Sequence, residues 1–190
     1  MADMGKLVLI LGGARSGKSA FAQRLAASQA GRVAFIATAQ AGDPEMVARI
    51  AAHQNKRPST WITLEIPTGI ASHWREQRPE VDLAILDCLT LLVSNLILQA
   101  APDVDHPDEG KAVALVADEI DTLVGLIKES RCNWIVVTNE VGLGLVPPYP
   151  LGRIYRDSLG WANQRLAAIA EQVYLLVAGI PVPIQAFKQD

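Results

Sequence analysis

The sequence has 190 residues, of which 50% are hydrophobic and 19% charged, and its formal net charge is -3. This composition is typical of a globular protein, and the length predicts one domain covering residues 1–190. A slightly acidic balance argues against a nucleic-acid-binding surface, because such surfaces are usually basic. No apolar segment reaches the roughly 18 residues of a membrane span, and the first strand begins too close to Met1 for a signal peptide. We therefore expect a cytoplasmic protein without a membrane span.

The first motif is a glycine-rich loop at residues 12–19, with the sequence Gly-Gly-Ala-Arg-Ser-Gly-Lys-Ser. It fits G-x-x-x-x-G-K-[ST], follows an apolar run and precedes a helical pattern, which is the context that a phosphate-binding loop requires. The backbone N–H groups of such a loop bind phosphate oxygens, helped by the N-terminus of the following helix. We expect Lys18 to reach the β- and γ-phosphates and the Ser19 hydroxyl to bind Mg²⁺. The alternative is an ordinary glycine-rich turn with an exposed lysine.

Strand and helix patterns alternate along the chain. Predicted strands occupy residues 6–11, 32–38, 61–65, 81–87, 133–138 and 173–177, with a possible edge strand at 182–185. Predicted helices occupy residues 20–30, 44–56, 68–77, 89–101, 110–129 and 151–171. Apolar strands that alternate with helices predict an α/β fold, with a mainly parallel sheet covered by helices on both faces.

In such a sheet, functional groups collect at the carboxyl ends of the strands. This rule selects the loop after Leu11, together with Thr38, Asp87 and the corner at residues 138–140. Asp87 follows a run of apolar residues, where an acid beside a phosphate-binding loop can hold Mg²⁺ or accept a proton from an attacking hydroxyl. The alternative is a strand-end acid that caps the next helix.

One histidine has an unusual environment. His53 stands on an apolar stripe of the predicted helix 44–56, with Arg49 four residues before it and Arg57 four residues after it. Nearby cations favour the neutral imidazole, which is the nucleophilic form, and the same cations can hold phosphates. The pattern by itself leaves a catalytic histidine and an ordinary surface helix equally open.

Together these residues resemble the bifunctional adenosylcobinamide kinase / adenosylcobinamide-phosphate guanylyltransferase family of cobalamin biosynthesis, over nearly the whole chain. The most specific part of the resemblance combines the His53 helix with residues 137–142 and with Asn163-Gln164. Further matches are residues 12–19 and 36–38, Glu45-Met46, Arg49-Ile50, Arg57-Pro58, Trp61, Asp87, Asn95, Gly144, Val146-Pro147, Arg156-Asp157, Gly160 and Arg165-Leu166.

The resemblance implies two reactions. A nucleoside triphosphate, ATP or GTP, phosphorylates the aminopropanol hydroxyl of adenosylcobinamide in the presence of Mg²⁺. GTP then guanylylates a histidine, here His53, and the cobinamide phosphate takes the GMP to give adenosylcobinamide-GDP. The implied catalytic residues are His53, Lys18 and Asp87, and the implied Mg²⁺ ligands are Ser19 and Asp87. The implied nucleotide contacts are Gly12, Gly13, Ala14, Arg15, Ser16, Gly17, Lys18, Ser19, Ala37, Thr38, Ala39, Gln54, Asn55, Lys56, Arg57, Glu65 and Asp87.

The resemblance also implies a RecA-like P-loop domain that assembles as a homotrimer. This chain departs from the family at two positions. Ala52 stands where some relatives carry a second histidine, and Asp87 stands where some carry glutamate. The residues by themselves are also compatible with two other classes of protein: a simple small-molecule kinase with a structural His53, and a nucleotide-binding switch. The switch is the weaker alternative, because no Asn-Lys-x-Asp guanine-reading motif occurs.

Overall fold

The computed structural model describes residues 5–29, 31–40, 57–101, 103 and 105–185. The predicted helix 44–56 lies outside these ranges, and with it the predicted site residues His53, Gln54, Asn55 and Lys56.

One seven-stranded sheet runs through the described ranges, in the order β3-β2-β4-β5-β1-β6-β7. Its strands are β1 (Leu7–Gly12), β2 (Val33–Ala37), β3 (Ile62–Glu65), β4 (Leu83–Asp87), β5 (Asn133–Val137), β6 (Gln172–Val177) and β7 (Ile180–Pro183). All neighbouring strands pair in parallel except β6 and β7. The α/β class with a mainly parallel sheet is therefore confirmed.

Five helices are described around this sheet. They are α1 (Lys18–Ser28), α2 (Ile70–Gln77), α3 (Leu89–Ala100), α4 (Glu109–Glu129) and α5 (Pro150–Ile169). Each coincides with a predicted helix to within about two residues at either end, the usual uncertainty of helix boundaries. None of the helices in the described ranges is long and apolar enough to cross a membrane.

The core has two parts, one on each face of the sheet. On the first face α2, α3, α4 and α5 pack against alternate strand residues, with Leu9, Trp134 and Val136 fully buried. On the second face α1 contributes Ala22 and Ala26 to a smaller cluster around Phe35 and Ile135. Strands that are apolar on both faces therefore reflect burial on both faces, as a parallel sheet requires.

Two of the boundaries that differ from the predictions have an identifiable cause. Helix α2 begins at Ile70 rather than Thr68, because Gly69 adopts a left-handed conformation (φ 71°) that separates the helix from the preceding turn. The buried Glu119 carboxylate accepts hydrogen bonds from the N–H groups of Gly69 and Ile70 there. The edge strand lies at Ile180–Pro183, because a turn with positive φ at Ala178 and Gly179 folds it back against β6.

Candidate functional site at the carboxyl edge of the sheet

The glycine-rich loop joins the central strand β1 to helix α1. At Gly12 (φ 152°), an added Cβ would approach the Leu176 carbonyl oxygen to 2.6 Å, so glycine is required there. Gly17 (φ 94°) is the N-cap of α1 and supplies no side-chain cap, which leaves the first N–H groups of the helix without intrahelical partners. The Ser16 hydroxyl is buried and has no hydrogen-bond partner within the described residues. The loop therefore presents several donors that an anion can satisfy.

Lys18 is held within this loop. Its ammonium donates a hydrogen bond of 2.6 Å to the Gly13 carbonyl, and the residue is only 7% exposed. Burial lowers the pKa of the Lys18 ammonium, while the nearby Asp87 carboxylate acts in the opposite direction. A buried cation within a loop of N–H donors suits a phosphorylated ligand.

A cavity of about 560 Å³ opens beside the loop, within the usual size range of small-molecule sites. Its lining residues come from the glycine-rich loop and from the carboxyl ends of β2, β4 and β5. They are Ala14, Arg15, Ser16, Gly17, Lys18, Ser19, Ala20, Ala37, Ala39, Arg57, Asp87, Cys88, Thr90, Leu91, Val137 and Asn139.

The end of β4 is fixed by the end of β2. The Thr38 hydroxyl donates to the Cys88 carbonyl (2.7 Å) and accepts from the Cys88 N–H (2.9 Å). Asn95 on α3 donates to the Thr38 carbonyl (2.9 Å) and to the Pro67 carbonyl (3.0 Å). These contacts hold the backbone that follows Asp87. Burial raises the pKa of the Cys88 thiol to about 11, so this cavity residue is a neutral thiol at pH 7 rather than a nucleophile.

Arg57 brings a second cation to the cavity. Its guanidinium carbon lies 3.5 Å from the centre of the Phe35 ring, a cation–π contact that fixes the side chain over β2. Burial lowers the pKa of Arg57, while the negative charges of Asp87 and Glu65 favour its protonated form. Within the described part of the chain, its buried Nε and Nη1 atoms have no hydrogen-bond partner. Arg57 can therefore donate to an anion in the cavity.

Buried polar contacts fix the corner after β5. The Asn163 side chain on α5 accepts from the Thr138 hydroxyl (2.8 Å) and donates to the Asn139 carbonyl (3.0 Å). The Asn139 N–H in turn donates to the Thr90 hydroxyl (2.8 Å). Because these partners occupy both backbone groups of Asn139, the position of this cavity residue is set by α3 and α5 together.

We expect Asn163→Ala to lower the free energy of unfolding by about 2–3 kcal/mol, because it leaves the buried Thr138 hydroxyl and Asn139 carbonyl without their shared partner. Chemical denaturation measures this change. Gln164→Ala is the matched control, since Gln164 is the next residue of α5 and is exposed. Equal unfolding free energies for the two variants would contradict a structural role for the Asn163 contacts.

The structure brings most of the described site predictions together around the cavity. Residues 14–19, Ala37, Ala39, Arg57 and Asp87 line it, whereas Gly12, Gly13, Thr38 and Glu65 are not among its lining residues. Thr38 is fully buried beneath it. The sequence predictions include the corner at 138–140 but do not assign Asn139 to the site. They also omit the lining residues Ala20, Cys88, Thr90, Leu91 and Val137. The signal for Cys88, Thr90 and Leu91 was their place just after the strand that ends in Asp87.

A mainly parallel α/β sheet with a glycine-rich loop, three cationic side chains (Arg15, Lys18 and Arg57) and a carboxylate at its carboxyl edge has the features of the nucleotide-binding class of α/β proteins. The family described as cobinamide kinase / cobinamide phosphate guanyltransferase matches residues 8–184. The chain belongs to this family of transferases, and the resemblance seen in the sequence is confirmed.

Curated relatives agree with this assignment. The chain is 44% identical over 177 residues to the bifunctional adenosylcobalamin biosynthesis protein CobP of Pseudomonas aeruginosa, covering 93% of this chain and 96% of that protein. It is 39% and 38% identical over 182 residues to the proteins named CobU, of the same description, from Salmonella typhimurium and Escherichia coli. Each of these two comparisons covers 94% of this chain and 99% of the relative.

Proposed function

We propose that this chain catalyses both reactions of its family: transfer of a phosphoryl group from a nucleoside triphosphate to adenosylcobinamide, and transfer of GMP from GTP to the resulting phosphate. The observation that carries the proposal is the cavity in which Lys18, Ser19, Asp87 and Arg57 converge beside the buried Ser16 hydroxyl, which has no partner among the described residues. Both donors are triphosphates, so one phosphate-binding loop can serve both steps.

In the kinase step, the aminopropanol oxygen attacks the γ-phosphorus and the bond from that phosphorus to the β–γ bridging oxygen breaks. The nucleoside diphosphate leaves, and the hydroxyl proton passes to Asp87 or to solvent. Lys18 offsets the charge on the β- and γ-oxygens, and the N–H groups at the start of α1 add fixed partial positive charge. Positioning and electrostatic stabilisation dominate such transfers, which agrees with a loop between β1 and α1 whose backbone and Lys18 ammonium are held by hydrogen bonds.

In the guanylyl step, a nitrogen of His53 attacks the α-phosphorus and pyrophosphate leaves. An oxygen of cobinamide phosphate then attacks the same phosphorus, the N–P bond breaks, and His53 is regenerated. His53 lies outside the described residues, but it precedes Arg57 by four positions, so the chain keeps the two Cα atoms within about 14 Å. The placement of Arg57 at the cavity therefore supports His53 as the nucleophile. Gln54, Asn55 and Lys56, between them, remain proposed nucleotide contacts.

The donor set at the cavity fits a magnesium ion. Ser19 supplies a hydroxyl and Asp87 a carboxylate, and Mg²⁺ prefers such oxygen donors together with substrate phosphates. When bound, the ion neutralises charge on the phosphate oxygens. The protein's own part is to hold these two side chains on α1 and β4, both in the wall of the cavity.

The remaining assignments rest on the resemblance. We propose a single domain over residues 1–190, a cytoplasmic homotrimer, and no nucleic-acid partner, in agreement with the net charge of -3. Analytical ultracentrifugation tests the assembly.

Incubation with α-labelled GTP and Mg²⁺ tests the proposed function. We expect the protein to retain label after denaturation and to release it when cobinamide phosphate is added. A simple kinase or a nucleotide switch would retain none, so an unlabelled but active kinase would contradict the guanylyl half of the proposal.

We expect Asp87→Asn to keep the fold and to lower Mg²⁺-dependent turnover by about a hundredfold or more, because the amide removes the charge that favours the cation. Turnover measured against Mg²⁺ concentration gives the effect. Asp118→Asn on the exposed surface of α4 is the control. An Asp87→Asn variant with the parent rate and the parent Mg²⁺ dependence would assign Asp87 a purely structural role.

A further inference from the structure

The loop between β5 and α5 is apolar and strongly exposed. Residues 141–149, which we call the apolar loop, contain no charged side chain. Leu143 is 87% exposed and Leu145 is 96% exposed, and Val146 and Tyr149 are also more than half exposed. Single exposed apolar residues are ordinary, but four within seven positions form a patch of the kind that marks an interaction site.

Several contacts fix this loop to the body of the protein. The Arg153 guanidinium donates to the Pro147 and Pro148 carbonyls at 3.2 and 2.9 Å. Gly152 leaves room for its neighbours, since an added Cβ would lie 2.5 Å from the Tyr149 ring and 2.7 Å from Pro147. At the other end, the Glu140 N–H donates to the Gly12 carbonyl of the glycine-rich loop (3.1 Å). The exposed leucines therefore belong to a tethered surface beside the candidate site.

The apolar loop follows directly in the chain on two residues of the cavity wall. Val137 and Asn139 line the cavity, and the loop starts two residues after Asn139. A cavity of about 560 Å³ accommodates one drug-sized ligand, so a nucleotide there leaves no space for a second, larger substrate. That substrate must approach from outside, with only its reacting arm entering.

We propose that the apolar loop is the docking surface for the corrin ring of cobinamide; this inference rests on the proposed function. The ring is broad, rigid and carries methyl groups and neutral amides, which suits a patch without charges. The aminopropanol arm then extends past Asn139 to the phosphate held at Lys18. Docking a rigid ring on a tethered surface costs little conformational entropy.

The test is the double variant Leu143→Ser/Leu145→Ser, whose side chains are too exposed to support the fold. The probe is cobinamide itself, followed by its visible absorption in equilibrium dialysis. We expect its dissociation constant and its KM to rise about tenfold or more, because two apolar contacts are lost. We expect the dissociation constant of GTP and the KM of the nucleotide to stay within about twofold.

Leu98→Ser/Ile180→Ser is the matched control, since both side chains are exposed and lie on α3 and β7 rather than on the apolar loop. It should leave cobinamide affinity unchanged. Parent-like cobinamide affinity in the loop variant would overturn this inference while the proposed function stands. A changed sedimentation coefficient in the loop variant would also overturn it, by assigning the loop to a contact between subunits. A parent chain that neither binds nor phosphorylates cobinamide would instead overturn the proposed function, and this inference with it.

Discussion

Lys18→Ala is expected to abolish both phosphoryl and guanylyl transfer, with losses of at least about a hundredfold in each. Both reactions need the β- and γ-phosphates of a triphosphate held in one place, and Lys18 is the buried cation of the glycine-rich loop. A methyl group cannot replace its charge or its hydrogen bonds. In the parent protein the Lys18 ammonium is already held by a hydrogen bond to the Gly13 carbonyl. The substitution therefore removes a preorganised cation. Initial rates of the two transfers, measured separately, give the result.

Lys128→Ala is the control for this experiment. Lys128 is exposed in the last turn of α4 and is not among the residues that line the cavity, so its loss should leave both rates unchanged. Thermal unfolding of each variant establishes that the protein is folded. A folded Lys18→Ala protein with near-normal transfer of either group would contradict a shared phosphate-binding loop.

His53→Ala is expected to lose covalent labelling by α-labelled GTP and all guanylyl transfer, while retaining much of the kinase activity. The reason is that only the guanylyl step uses a covalent intermediate, in which one difficult transfer is divided into two easier ones. The label on the parent protein should be acid-labile and alkali-stable, as a phosphoramidate is. Mass spectrometry of the labelled peptide locates the modified residue.

His106→Ala is the matched control, since the His106 side chain is 86% exposed and pairs with Asp103 in the loop before α4. It should label as the parent does. Label that persists in the His53→Ala protein, or that maps to Lys18, would show that a different nucleophile carries GMP. Loss of both activities in the His53→Ala protein would indicate that His53 also supports the binding of the triphosphate.

Local sequence patterns predicted most of the fold. Runs such as Leu83–Asp87 and Asn133–Val137 are apolar on both faces. Such strands can bury all their apolar side chains only in a sheet that is covered on both sides. The start of α2 was misplaced because the choice of Gly69 as cap depends on Glu119, which lies 50 residues away and accepts the Gly69 N–H. The sequence of residues 65–77 alone does not predict the hydrogen bond between Gly69 and Glu119.

The site was predicted only in part, because some of its residues are identified by local sequence and others depend on contacts between distant parts of the chain. The glycine-rich loop is local, since its glycines, Lys18 and Ser19 are consecutive, and Asp87 follows from the strand-end rule. Asn139 could not be assigned, because its place in the cavity depends on β5 lying between β1 and β4, on the hydrogen bond it donates to Thr90 and on the one it accepts from Asn163. Thr38 was expected to contact nucleotide, yet its hydroxyl is engaged with the Cys88 backbone, so that role stays a prediction.

The sequence by itself determined most of the described elements, the phosphate-binding motif and the family, because each depends on residues close together in the chain or on their order along it. Only the tertiary structure decided which strand ends are neighbours, because strand order is set by how the crossover helices pack across the whole sheet. That packing brings Arg57 over Phe35 and places Asn139 and Asp87 in the wall of one cavity, and it leaves Leu143 and Leu145 exposed. The exposure of an apolar side chain depends on what the rest of the fold covers, and a sequence window does not contain that information.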